Sequence, residues 1–141
     1  MMKYELTNTR QNDLYQIRAL IDFGQVKAGD LGGWIESEAN LSQDGNAWVF
    51  DNARVSGNAW VFDDARVSGN AEVFGNALVF GNARVSDNAR VFGNARVSDN
   101  AWVSGNAEVS GNAMVSGNAV VFGKARVFGK ARVFDNARVS N

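Results

Sequence analysis

A six-residue unit repeats through this chain from Ala47 to Ser140, and it leaves few folds open. Each unit reads Ala-x-Val-Ser/Phe-Gly/Asp-Asn with few departures. Ala recurs at every sixth residue from 47 to 137, and Val two places later, from 49 to 139, without a miss. A fixed short period means near-identical units stacked on one another. Within a unit, Ala and Val point one way while x and Ser/Phe point the other, which is the signature of a short strand with one buried face. Gly/Asp-Asn then turns the chain, because Gly readily takes positive φ and Asn and Asp tolerate it better than other residues. A helix is excluded twice over. The apolar period is wrong, and a Gly-Asn-type pair would interrupt it at every unit.

Strands this short cannot stand alone. Stacked coil upon coil, they form parallel sheets around an interior of Val and Ala. That interior favours a narrow tube, since side chains so small cannot fill a wide one at native packing density.

The units, of the type Val-Ser-Gly-Asn-Ala-Arg, resemble the hexapeptide repeat of the left-handed parallel β-helix proteins. The resemblance implies an all-β, single-stranded triangular solenoid with three hexads, about 18 residues, per coil. Its left-handed crossover would be an exception to the usual right-handed rule. Ser or Phe stands directly after Val where that family often has Gly, a departure that falls on the outer surface. The segment from Asp22 to Ile35, with Gly29, Gly32, Gly33 and Trp34, and its continuation to Gly45, is similar to the YdcK-like bacterial and phage subgroup. Proteins of that subgroup often carry an acyltransferase label that rests on fold alone.

Residues 1–46 do not follow the repeat. They read as an N-terminal β cap with a frame-shifted first hexad, ahead of a solenoid over 47–141. Lys3–Thr7 and Leu14–Phe23 read as strands, with Asn8–Asp13 as the hairpin turn between them. Gly29, Gly32 and Gly33 mark a second tight turn before Trp34-Ile35. Ile35, Ala39 and Leu41 fit one hexad, and two extra residues in 42–45 shift the frame before Val49. The expected role of 1–34 is to cover the first coil, whose apolar end and strand edges need a lid. The pattern continues to Asn141 without a matching lid, so either a second subunit covers that end or its basic charge keeps it soluble.

Three hexads per coil sort the outward residues into columns. The first face stacks Trp48, Arg66, Arg84, Trp102, Val120 and Arg138. The second stacks Arg54, Glu72, Arg90, Glu108 and Arg126, a strict charge alternation that reads as a structural ladder. The third stacks Trp60, Leu78, Arg96, Met114 and Arg132. Two corner columns alternate Asp with Gly, as in Asp51, Gly69, Asp87 and Gly105, so that no two Asp are adjacent. This agreement supports three hexads per coil independently of the resemblance. Trp60, Phe62, Leu78 and Phe80 form an outward apolar patch, expected in a self-association contact, under the N-terminal segment or against a partner. Phe122, Phe128 and Phe134 ring the basic end and are candidates for the same use.

The composition excludes much chemistry. The 141 residues contain no His, Cys or Pro, and the net charge is −1. No thiolate site or disulfide can form. The imidazole base of hexapeptide acyltransferases and the three-His zinc site of the fold-related γ-class carbonic anhydrases are both missing. No phosphate loop, serine nucleophile or metal-ligand spacing occurs, and neither a cofactor nor a metal is expected. Thr stands only at 7 and 9, against the regular Thr arrays of ice-binding faces. Near-neutral charge argues against a dedicated nucleic-acid binder. No apolar leader or membrane-length run is visible, so a cytoplasmic protein is expected. The functional expectation is a non-catalytic scaffold or binding module that forms a homo-oligomer, a dimer in the first instance, or holds a protein partner. The alternative is an acyltransferase-like enzyme working without the usual His base.

Overall fold

The structure is a computed structural model and describes residues 2–141. Three strands open it: β1 (Tyr4–Gln11), β2 (Leu14–Ala19) and β3 (Leu31–Ile35). A single 3-10 turn covers Glu38–Asn40. Sixteen two-residue strands follow, one per hexad, from Trp48–Val49 to Arg138–Val139.

These strands stack into three parallel sheets, and every third strand shares a sheet. Arg54 pairs with Glu72, Arg66 with Arg84, and Leu78 with Arg96, each one coil apart. The result is a three-sided parallel β-helix, as the columns require. The inward Ala and Val are buried through most of its length, with Val91 fully covered, while Arg90 beside it is exposed. Burial loosens only at the far end, where Ala131 and Ala137 are exposed.

Each coil bonds to the next through backbone groups. Arg54 N–H donates to Ala71 O, Ser56 N–H to Val73 O, and Asn58 N–H to Gly75 O. At each corner a β-turn closes the strand, as where Ala59 N–H donates to Ser56 O at 3.2 Å. The first central residue of that turn carries positive φ. Gly supplies it at 57 (+63°), and Asp supplies it at 51, 63, 87, 99 and 135, since both are tolerated there.

The Asp–Gly alternation has a second cause beyond charge avoidance. Four of the five corner Asp accept a hydrogen bond from the Gly amide one coil on: Asp51 from Gly69, Asp63 from Gly81, Asp87 from Gly105 and Asp99 from Gly117, all at 3.0–3.1 Å. The third corner is Gly throughout and is laced by asparagines instead, Asn58 to Asn76 to Asn94 to Asn112.

The N-terminal region departs from expectation in several places. β1 continues through Gln11, so the turn is only Asn12-Asp13, with Asn12 at φ 58°. β2 stops at Ala19, and Phe23 belongs to a separate tight turn that bridges to Val26. Gly32 and Gly33 lie inside β3. A Cβ on Gly33 would lie 2.6 Å from Ala53 O, and one on Gly32 would lie 2.6 Å from Val49 O. Close approach of the first coil, and not the tight turn expected of them, demands glycine at these two positions, while Gly29, at φ 93°, does lie in a turn.

The frame shift is visible in the pairing. Ile35 pairs with Val55 and Leu41 bridges Val61, two residues beyond the regular spacing. Ala39, expected to point inward, is exposed. Asn40 is buried in its stead, donating to Gly57 O and Ala59 O and accepting from Glu36 and Ser37 N–H. A polar side chain at that depth persists because all these bonds are made.

Candidate functional site

The N-terminal region covers one face and extends another. β3 adds a parallel strand to the edge of the second face, and β2 and β1 follow it antiparallel. The turn at Phe23–Val26 folds over the start of the first face. Trp48, placed outward by the repeat, is therefore only 1 % exposed, with Tyr4 and Phe23 edge-on at ring distances of 6.0 and 5.3 Å. Lys3 is buried beside it. Its Nζ donates to the carbonyls of Ala47 (2.8 Å) and Gly45 (3.3 Å) and lies 4.8 Å from the Phe23 ring. Burial pulls the Lys3 ammonium down to about 8, against the opposing pull of Asp44 and Asp64. The neighbouring Tyr4 hydroxyl donates to Leu41 O at 2.6 Å, and burial pushes its ionisation upward.

On the second face Glu72 stands between Arg54 and Arg90, 3.5 Å from each, and Arg126 reaches Glu108 at 3.9 Å. These are exposed pairs, each contributing about 0.2–1 kcal/mol.

On the third face Trp60 stacks on Phe62 at 4.0 Å, and Phe62 on Phe80 at 4.8 Å with rings 3° from parallel. Leu78 is half-buried beside them, and Trp60 stays 44 % exposed. Phe122, Phe128 and Phe134 do not form one cluster. Consecutive hexads lie on different faces, so each of the three stands on its own corner. Phe128 and Phe134 are more than half exposed, and Phe122 lies under the Arg138 guanidinium at 5.3 Å.

The sequence places Arg beside Trp in the first-face column, where a cation–π contact is expected, but it does not reveal a ring stack on the second face or a groove on the first. Phe74 and Phe92 stack at 4.9 Å on the second face, although they stand one coil apart and the column rule alone could have paired them. On the first face, Arg66 and Arg84 are paired neighbours, and Arg84 lies 5.8 Å from the Trp102 ring. These residues, with Ser68, Ser86 and Phe50, line an open groove of about 260 Å³. Gln25, from the Phe23–Val26 turn that no repeat rule places, lines it as well.

No group of three or more His, Cys, Asp or Glu is arranged to hold a metal among the described residues. No helix among them is long and apolar enough to cross a membrane.

The corner chemistry and the strand pattern together meet a described repeat family. Residues 47–63, 83–97, 89–105 and 107–123 match the family described as YdcK Beta solenoid repeat. Over these stretches the chain resembles a YdcK-type β-solenoid. It is also 43% identical over 54 residues to a protein of Escherichia coli (strain K12) named "Uncharacterized acetyltransferase YdcK". That match takes in 38% of this chain and 17% of the relative, so the chain spans less than a fifth of the relative's length. The resemblance to YdcK-like proteins thus holds, with the family match falling on the repeats from residue 47 onward.

Proposed function

We propose that this chain is a non-catalytic, rigid scaffold that self-associates through the third face, with Trp60, Phe62, Leu78 and Phe80 at the contact. The observation that carries this reading is the aromatic stack itself. Three large rings lie packed against one another along the third face and its corner, with Trp60 exposed and Phe62 and Phe80 partly so, while the N-terminal region covers Trp48 on a different face. Contiguous apolar surface of this kind usually meets a partner. A second copy suits it because two flat sheets of the same composition pack face to face. The patch is smaller than the roughly 800 Å² per partner of a standard interface, so the association is weak and depends on concentration. Left-handed winding, taken from the family resemblance, and a cytoplasmic location belong to the same reading.

The test is sedimentation of the parent and of a Phe62→Ser, Phe80→Ser variant over a range of concentrations. Ser is the chain's own residue at 98 and 116 in that column, so the variant keeps its fold. A dimer that the substitutions abolish is the expected result. A parent that stays monomeric at every concentration overturns the reading.

The second reading is an acyltransferase, favoured by the printed name of the partly matching relative. With no His in the sequence, the proton from the acceptor would have to pass to a carboxylate. Glu72 is held between two Arg, which disfavours it in that role. Turnover of acetyl-CoA by the purified chain, lost on substituting one carboxylate, would install this reading over the first.

A further inference from the structure

Wherever this solenoid stacks charges on its faces it alternates them, with one exception. The second face runs Arg, Glu, Arg, Glu, Arg, and the corner Asp columns are spaced by Gly. Arg66 and Arg84 alone place two like charges on adjacent strands of one face. Such stacking is destabilising unless something offsets it. No carboxylate lies within ion-pair distance of either guanidinium among the described residues. The two aspartates nearby are already engaged by backbone amides, Asp51 with Gly69 N–H and Asp64 with Asn46 N–H.

The groove around this pair has three further properties. Arg66 is half-buried rather than fully hydrated. Trp102 donates its indole N–H to Ser86 Oγ at 2.9 Å, which leaves the Ser86 hydroxyl proton free to point into the groove, beside Ser68. Phe50 and Trp102 supply apolar walls, so polar donors and carbon surface sit side by side. At about 260 Å³ the groove lies at the small end of ligand clefts. Within the lining two guanidinium groups face one carboxylate, Asp51, a single excess positive charge, while Asp64 lines the adjoining recess with the same two Arg and is engaged by Asn46 N–H.

We propose that this groove binds a hydroxylated carboxylate of the size of one sugar acid. Its carboxylate bridges Arg66 and Arg84, its hydroxyls meet Ser68 and Ser86, and its ring lies against Trp102. A monoanion matches the excess charge, whereas the second charge of a phosphate would face Asp51. The bridging carboxylate removes the like-charge repulsion that the bare stack carries, because planar guanidinium forks pair carboxylates closely.

The test is titration with sodium glucuronate at constant ionic strength, followed by NMR on the Trp102 indole N–H, assigned with a Trp102→Phe variant. Glucose, acetate and glucose 6-phosphate serve as comparisons. The expected result is a saturable shift with glucuronate, none with glucose, and weaker responses to acetate and glucose 6-phosphate. Arg66→Gln weakens glucuronate binding roughly tenfold or more, from loss of a charged hydrogen bond. The same variant melts at or above the parent temperature without ligand, since a like charge has gone. Loss of binding with retained stability excludes misfolding as the cause. Phe62→Ser with Phe80→Ser, on another face, leaves binding unchanged, which separates this test from that of self-association. The proposal is overturned by the absence of a saturable glucuronate shift, by equal binding in Arg66→Gln, or by an equal or stronger response to acetate or glucose 6-phosphate.

Discussion

Substituting Asp87 isolates the bond that links one corner to the next. Asp87 sits at φ 59°, and its Oδ2 accepts from Gly105 N–H at 3.0 Å. Asp87→Asn keeps an acceptor oxygen and a residue that tolerates left-handed backbone, so it costs at most about 0.5 kcal/mol. Asp87→Gly loses the acceptor. The backbone relief it brings is offset by the freedom Gly adds to the unfolded chain. Its cost is then the bond alone, about 1 kcal/mol for a solvent-exposed acceptor. Asp87→Ala loses the bond and also forces a Cβ-bearing residue into the left-handed region, for another ~1 kcal/mol, or about 2 kcal/mol in all. At this chain length 1 kcal/mol corresponds to roughly 3–4 °C in Tm. Thermal melts followed by circular dichroism should rank the variants Asn, Gly, Ala in order of increasing loss. A solenoid can open coil by coil, so amide exchange gives the sharper reading. Gly105 N–H should be protected in the parent and exchange freely in Asp87→Gly. Gly93, at the all-Gly corner, bonds to no protein acceptor among the described residues and should exchange fast in both. If Gly105 exchanges equally in parent and variant, or if Asp87→Gly is as stable as the parent, the bond contributes nothing and charge spacing alone explains the column.

Two further outcomes follow from the N-terminal region. Lys3 is held at about 8 against 10.5 when unfolded, so between these values the unfolded chain binds more protons and stability rises with pH. Urea unfolding at pH 8 and pH 10 should show a gain on the order of 1–3 kcal/mol, absent in Lys3→Met. Above pH ~10 the raised Tyr4 ionisation works in the opposite direction, which confines the clean window to pH 8–10; a flat profile there refutes the burial cost. Gly33→Ala would drive a Cβ against Ala53 O and Val49 Cγ1, costing about 1–3 kcal/mol or more, whereas Gly29→Ala, which meets nothing within 4 Å, pays only for its positive φ. Equal stability of the two variants would remove the close-approach argument.

Much of this molecule is determined by its sequence because the repeat enforces itself. The six-residue period fixes strand, corner and inward face together, and the charge order Arg54, Glu72, Arg90, Glu108 and Arg126 requires three hexads per coil. One register satisfies every unit at once, so local pattern and global packing agree. Outside the repeat that redundancy is gone. Gly32 and Gly33 look like turn residues until the backbone of the first coil is placed 2.6 Å from their missing side chains. Trp48 carries the same sequence signal as Trp60 and Trp102, yet only Trp48 is covered, because the Phe23–Val26 turn happens to cross that face. The acceptor role of the corner Asp depends on carboxylate geometry across two coils, whereas the sequence shows only spacing. The first-face groove likewise needs the repeat column and the non-repeating turn to meet. Periodicity determines contacts between like units, and tertiary structure alone decides contacts between the repeat and the segment that does not repeat.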